Sequence, residues 1–115
     1  MANLFKLKTK ANIPNSPTLV YTVGSGVTST VILGMILTNK VNYEIAATVY
    51  LESNTSDVEV NENIELLHEV PIPQNTTLEI FSGQKLNLQT NDRLKVMSSA
   101  NNTLDFALSM MEITA

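Results

Sequence analysis

Between Leu78 and Ser98 the chain reads LEIFSGQKLNLQTNDRLKVMS, three short apolar runs separated by SGQ and TND. None of these runs can wind the three turns of an ordinary helix, and each is closed by residues that favour turns. Leu78/Ile80, Leu86/Leu88 and Leu94/Val96 recur at a spacing of two, the period of a strand with one face inward. The stretch therefore demands short strands. They are expected to be antiparallel neighbours or to cross between sheets at tight corners.

The same pattern extends upstream. TLVYTV (18–23) reads as a strand, and GSG (24–26) as a turn whose glycines supply positive φ. VTSTVILGMILTN (27–39) is apolar on both faces between Val31 and Leu37. Such a strand is buried on both faces, or lays one face against a partner chain. Gly34 within it predicts a bulge or the close approach of another backbone. YEIAATVYLE (43–52) alternates, with Ile45, Ala47, Val49 and Leu51 on one face. Within VEVNENIELLHEV (58–70), IELLHEV reads as a strand, with a short helix through NENIELL left open. LDFALSMMEI (104–113) sets Leu104, Phe106, Leu108 and Met110 against Asp105, Ala107, Ser109 and Met111, and is expected inside a sheet.

The fold class is all-β: one antiparallel β-sandwich or jelly-roll-like domain of about seven to eight strands. Residues 1–17, which contain Pro14 and Pro17, read as an extended N-terminal arm, and 18–115 as the sandwich domain. A chain of 115 residues with 43% hydrophobic and 16% charged side chains has enough apolar material for one core.

The residue types exclude several functions. A net charge of −4 argues against a broad nucleic-acid face; the one basic cluster is Lys6, Lys8 and Lys10. With no cysteine there is no thiolate metal site, disulfide or cysteine nucleophile. The opening MANLFKLKTK shows no secretory signal, and Val31 to Leu37 is too short to cross a bilayer as a helix. No membrane partner is expected, and the chain is expected to be made in a cytoplasm. His68 is the sole histidine; Glu65 and Glu69 beside it make the one arrangement resembling a metal or base site, and a plain surface role outweighs it. Glu59, Glu62 and Glu65 read as a solvated face and not as a carboxylate pair for catalysis. No catalytic residue, metal ligand or cofactor is assigned.

Outward strand positions carry Thr, Asn, Ser and Gln more than Lys and Glu. Charge is the usual device that keeps sheets apart, so this composition describes an assembly-prone β-domain. The candidate partner-contact residues are Phe5 and Leu7 in the arm, Met35 in the two-sided strand, and Met110 and Met111 near the end; for the three methionines a core position is the competing reading.

The order of the residues adds a resemblance. A tyrosine-containing strand (Tyr21), a glycine turn (Gly26) and a Thr/Val strand ending in Asn39 come first. The lead Val70 to Pro73, Gly83 before Lys85, Asn91-Asp92 before Leu94 to Val96, Ser98-Ser99 and a last strand ending Glu112-Ile113 follow. This series, across residues 17–113, resembles a family of small virion structural proteins of tailed bacteriophages, well known among cyanophages. Gly24 departs from it, since relatives often carry proline there. The resemblance implies a non-enzymatic virion component: a capsid cement or decoration protein, or a neck or tail protein. Its partners would be its own copies, often as homotrimers, and the major capsid protein or neck and tail proteins. A carbohydrate-binding module of a tail fibre is a further alternative, thinly supported by six scattered aromatic rings. On this reading residues 1–13 add as a strand to a neighbouring sheet, and deleting residues 2–12 leaves a folded domain that no longer binds particles.

Overall fold

The computed structural model describes residues 2–56, 59–81 and 85–114. Among these residues there are nine strands and no helix: β1 (Ala2–Ile13), β2 (Thr18–Thr22), β3 (Val27–Asn39), β4 (Ile45–Glu52), β5 (Ile64–Ile72), β6 (Thr77–Ile80), β7 (Leu86–Gln89), β8 (Arg93–Ser98) and β9 (Leu104–Thr114). Sheet A runs β1-β9-β3, with β6 and β7 lying end to end along the far edge of β3, Ile80 opposite Met35 and Leu86 opposite Ile32. Sheet B runs β2-β8-β4-β5, and every ladder is antiparallel.

The first half of the chain pairs with the second half in reverse order: β1 with β9, β2 with β8, β3 with β6 and β7, β4 with β5. One long hairpin folded across itself into two sheets is a jelly roll. If β6 and β7 are counted as one interrupted edge, each sheet has four strands. The expected all-β sandwich is therefore the observed fold.

Local chemistry sets the corners. At TND the Asp92 amide donates to the Gln89 carbonyl (3.0 Å), and Asn91 takes φ 75°. This turn joins β7 in sheet A to β8 in sheet B, so it is one of the between-sheet corners and not a hairpin. Asn75 and Asn102 occupy the same left-handed region (φ 54° and 60°) at other turns, where asparagine is tolerated better than most residues. In GSG the expectation fails in detail: the Val27 amide donates to the Gly24 carbonyl (3.0 Å), but neither Gly24 nor Gly26 has a left-handed φ. Gly34 does mark a bulge, since the β3–β9 register shifts between Ile32 and Gly34; space beside it is open, so no backbone crowds it. The SGQ turn (82–84) and residue 58 lie outside the described residues. The segment left open between strand and helix is strand from Ile64, and residues 59–63 are not helical.

The core lies between the sheets. Ile45, Ala47, Val49 and Leu51 of β4 all point into it, as do Leu94 and Val96 of β8 and Leu104, Phe106, Leu108 and Met110 of β9. Burying each large aliphatic side chain contributes about 1.5–3 kcal/mol before the entropy of ordering is subtracted. The last strand lies inside sheet A, flanked by β1 and β3, as its apolar face requires.

The N-terminal segment departs from expectation. Residues 2–13 do not project as an arm; β1 pairs with β9 over almost its full length, from Ala2 opposite Thr114 to Ile13 opposite Leu104. Its last residue, Ile13, is fully buried. A segment that supplies one whole edge of sheet A belongs to the sandwich, because removing it would strip β9 of half its ladder.

Candidate functional site

The outer faces of the two sheets differ. On sheet B the ladder places Glu52 opposite Arg93 and Tyr50 opposite Lys95. Glu52 there pairs with both bases, at 3.5 Å to Arg93 Nε and 3.0 Å to Lys95 Nζ. This is an ordinary solvated sheet face with cross-strand charges.

On sheet A the registers build rows of a different kind. Phe5, Met111 and Val31 form one row; Leu7, Ser109 and Gly34 the next; Thr9, Ala107 and Ile36 the third. Leu33, the extra residue of the bulge, stands beside the second row and lines a shallow groove of about 220 Å³ with Leu7, Ile36 and Ala107. None of the residues in these rows carries charge, and Glu79 of the edge strand β6 is the one charged residue lining the groove. Phe5 is 76% exposed, Leu7 68% and Ile36 42%. Charge returns only at the margin, with Glu79 opposite Ile36 and Asp105 opposite Thr38. A sheet face with this composition has surface suited to burial against another molecule.

Three of the five candidate contact residues, Phe5, Leu7 and Met111, are therefore brought together on one face. Met35 (1% exposed) and Met110 (2%) are not; both point between the sheets and belong to the core. For these two methionines the core position weighed in the sequence is the one observed, and the phase of the strand is the reason. Adjacent residues of a strand face opposite ways, so Met110 and Met111 cannot share a surface. Val31, Leu33, Ile36 and Ala107 were missed as members of the face. For Val31, Leu33 and Ile36 the signal was the two-sided apolarity of Val31 to Leu37; for Ala107 it was the face it shares with Met111 in 104–113.

Behind this face a polar network ties β1, β2, β3 and β9 together. The Tyr21 hydroxyl donates to Glu112 Oε2 (2.7 Å) and lies 2.8 Å from Thr30 Oγ1, while Lys6 Nζ pairs with Glu112 Oε1 at 3.0 Å. Burial, then the hydrogen bond to Glu112, pushes the Tyr21 phenol up to about 12. The same hydrogen bond from Tyr21 holds the Glu112 carboxyl below its usual range, with Lys6 assisting and burial opposing. Every one of these groups has a partner, which describes a structural pin and not a reactive centre.

A second pin is Asn39. Its side-chain amide donates to the carbonyls of Tyr43 (2.9 Å), Ile72 (3.0 Å) and Pro73 (3.2 Å), and its oxygen accepts from the Val41 amide (2.9 Å). It holds the end of β3 to the end of β5 across the two sheets. Asp92 does similar work at its corner, accepting from Ser53 Oγ (2.7 Å) and from the Gln89 amide (2.9 Å).

His68 is exposed on β5, 2.6 Å from Glu65 Oε1 and 3.7 Å from Glu69 Oε2. The hydrogen bond to Glu65, followed by the charges of Glu65 and Glu69, raises its pKa above the ordinary histidine value. Glu59 and Glu62 are exposed and lie outside any strand. Among the described residues no group of three His, Cys, Asp or Glu side chains is placed to hold a metal ion, and no helix is long and apolar enough to cross a membrane.

No family model matches the sequence, and neither does any curated protein. Solved structures do match. The chain is similar to one from the T13 IBDV viral particle, with a TM-score of 0.56 and 9% identity, covering 97% of this chain and 31% of that one. It is also similar to a chain of infectious bursal disease virus, Gx strain, with a TM-score of 0.55 and 7% identity, covering 97% and 32%. The chain spans about a third of the length of these viral chains. At such identities the likeness is one of fold.

Proposed function

We propose that the protein is a non-enzymatic structural component of a virus particle. Within that class the reading supported best is a capsid cement or decoration protein of a tailed phage, which lays the outer face of sheet A on the shell formed by the major capsid protein. The observation that carries this is the asymmetry of the sandwich: the outer face of sheet B is held in water by the ion pairs of Glu52, while that of sheet A presents Phe5, Leu7, Ile36 and Met111 with no charge among them. The likeness of fold to chains of viral particles and the resemblance of residues 17–113 to phage virion proteins support the same reading. A stiff jelly roll with one adhesive face suits a part that holds a shell together by burying area across its neighbours. The fully partnered polar groups of Tyr21, Glu112, Asn39 and Asp92 support the non-enzymatic half of the proposal.

The test is gold-labelled antibody staining of purified particles, viewed by electron microscopy. Label over the whole head is the expected result. Label confined to the head–tail junction or tail would replace cement by a neck or tail role, and particles without label would overturn the virion assignment.

A further inference from the structure

The two lateral edges of the sandwich carry opposite charge. β1 is one free edge of sheet A and lies over β2; β5 is one free edge of sheet B and lies at the far side. On β1 the residues facing the core side are Lys6, Lys8 and Lys10, opposite Met110, Leu108 and Phe106 of β9. They overhang the short strand β2 and form one wall of an open cleft of about 570 Å³, whose other wall includes Leu19, Tyr21 and Thr22. Lys6 is engaged by Glu112, but Lys8 and Lys10 form no ion pair among the described residues. On β5, Glu65 and Glu69 flank exposed His68, with exposed Glu62 just ahead of the strand.

We propose that the lysine-lined edge of β1 receives the acidic β5 edge of a second copy of this chain. Lysines on an edge strand repel uncharged strands poorly matched to them and attract an acidic one, so the charges that protect the edge also choose its partner. Both strands have one side of their backbone unpaired, so the contact adds main-chain hydrogen bonds between copies to the charge pairing. Because the two surfaces differ, the contact is head-to-tail: it closes into a ring if the rotation permits and otherwise extends as a chain. It leaves the outer face of sheet A free. The inference thus deepens the proposal above by naming how copies meet, and it is measured without particles, so its failure leaves the shell-binding reading standing.

The experiment is sedimentation velocity on the full chain over a concentration series, at about 10 mM salt, where the Debye length is roughly 30 Å, and at about 1 M, where it is roughly 3 Å. Wild type is expected to associate at low salt and to weaken at least tenfold at high salt. The double variants Lys8→Glu/Lys10→Glu and Glu65→Lys/Glu69→Lys alter exposed side chains only, and each alone is expected to lose association at least tenfold. Mixed in equal amounts they restore it, because each then offers the edge the other lacks. A wild type that stays monomeric at low salt overturns the proposal. So does association that ignores salt, which would point to the apolar face of sheet A, or a mixture that fails to recover. Thermal melts of the separate variants check that they are folded, and the salt series on wild type decides the matter without any substitution.

Discussion

Replacing Tyr21 by Phe keeps the ring in the core and removes only the hydroxyl that joins Thr30 to Glu112. Thr30 is fully buried and Glu112 is 8% exposed, so neither recovers its lost partner from water easily. The hydrogen bond to the carboxylate is worth about 1.5–3 kcal/mol and that to the threonine about 1 kcal/mol, while Lys6 still holds Glu112. The expected loss is about 3 kcal/mol near pH 8, a large part of the roughly 6–17 kcal/mol typical of a domain this size. The pH dependence sharpens the test. Because the folded phenol is pushed up to about 12, the unfolded chain gives up its proton first, near pH 10. Wild-type stability from this group is therefore complete below pH 10 and is lost between pH 10 and about 12, a fall of about 2–3 kcal/mol. The carboxyl of Glu112 has the opposite sign: its folded value is lowered, so its contribution is present above the ordinary carboxylate range and disappears as acid protonates it. Urea unfolding of wild type and Tyr21→Phe from pH 8 to 12 measures the difference directly. The gap is expected to shrink toward zero at the alkaline end. A gap under about 0.5 kcal/mol at pH 8, or one that stays flat to pH 12, would refute the role assigned to the hydroxyl.

Three further outcomes follow from other parts of the fold. Asn39→Ala strands three carbonyls and one amide at the junction of β3 and β5 and is expected to cost about 3 kcal/mol, read as a lower urea midpoint with an unchanged slope. The triple change Phe5→Ser, Leu7→Ser and Ile36→Ser touches exposed side chains, so unfolding should move by about 1 kcal/mol at most while occupancy on particles drops more than tenfold. Deleting residues 2–12 is now expected to unfold the domain, seen as loss of a cooperative melt, because β9 loses its β1 neighbour and Glu112 loses Lys6.

Much of this fold was legible in the sequence because alternation and turn residues act locally. Ile45 to Leu51 and Leu104 to Met110 revealed their inward faces by period alone, and the asparagines of the turns marked where the chain must reverse. What the sequence concealed was long-range. Nothing in TLEIF or KLNLQ says that both strands line a single edge of β3, since that depends on where β3 lies relative to each. The outer face of sheet A was half visible: the apolar run 27–39 required a covering on both sides, and only the register with β1 and β9 showed which residues share the uncovered side. The pins were invisible for the same reason, Asn39 being bound to carbonyls 33 and 34 positions away.

β1 changes phase at one residue, and this offers a direct test of the outer face. Ile13 points into the core, so unbroken alternation would turn Phe5, Leu7 and Thr9 inward with it and the lysines outward. The ladder instead holds an extra residue between Lys10 and Ile13, and the phase reverses. The bulge is specific: Asn12 adopts φ 57°, its amide donates to Asp105 Oδ1 (3.1 Å), and Lys40 bridges its side-chain oxygen and Asp105 (3.1 Å). The consequence is a strand with charge toward the cleft and apolar side chains toward solvent, the reverse of what stabilises an isolated sheet. Deleting Asn12 alone removes the extra residue and makes the ladder regular, with Ala11 opposite Asp105 and Lys10 still opposite Phe106, so Phe5 and Leu7 stay outward and the lysines stay toward the cleft. The chain is then expected to remain a folded jelly roll that keeps the Lys6–Glu112 pair and loses only the contacts Asn12 makes to Asp105 and Lys40. Particle occupancy should stay near the wild-type level, in contrast to the triple serine variant, because the outward set of β1 is unchanged. A folded deletion variant that no longer binds particles would show that the partner meets the bulge itself and not the outward set of β1.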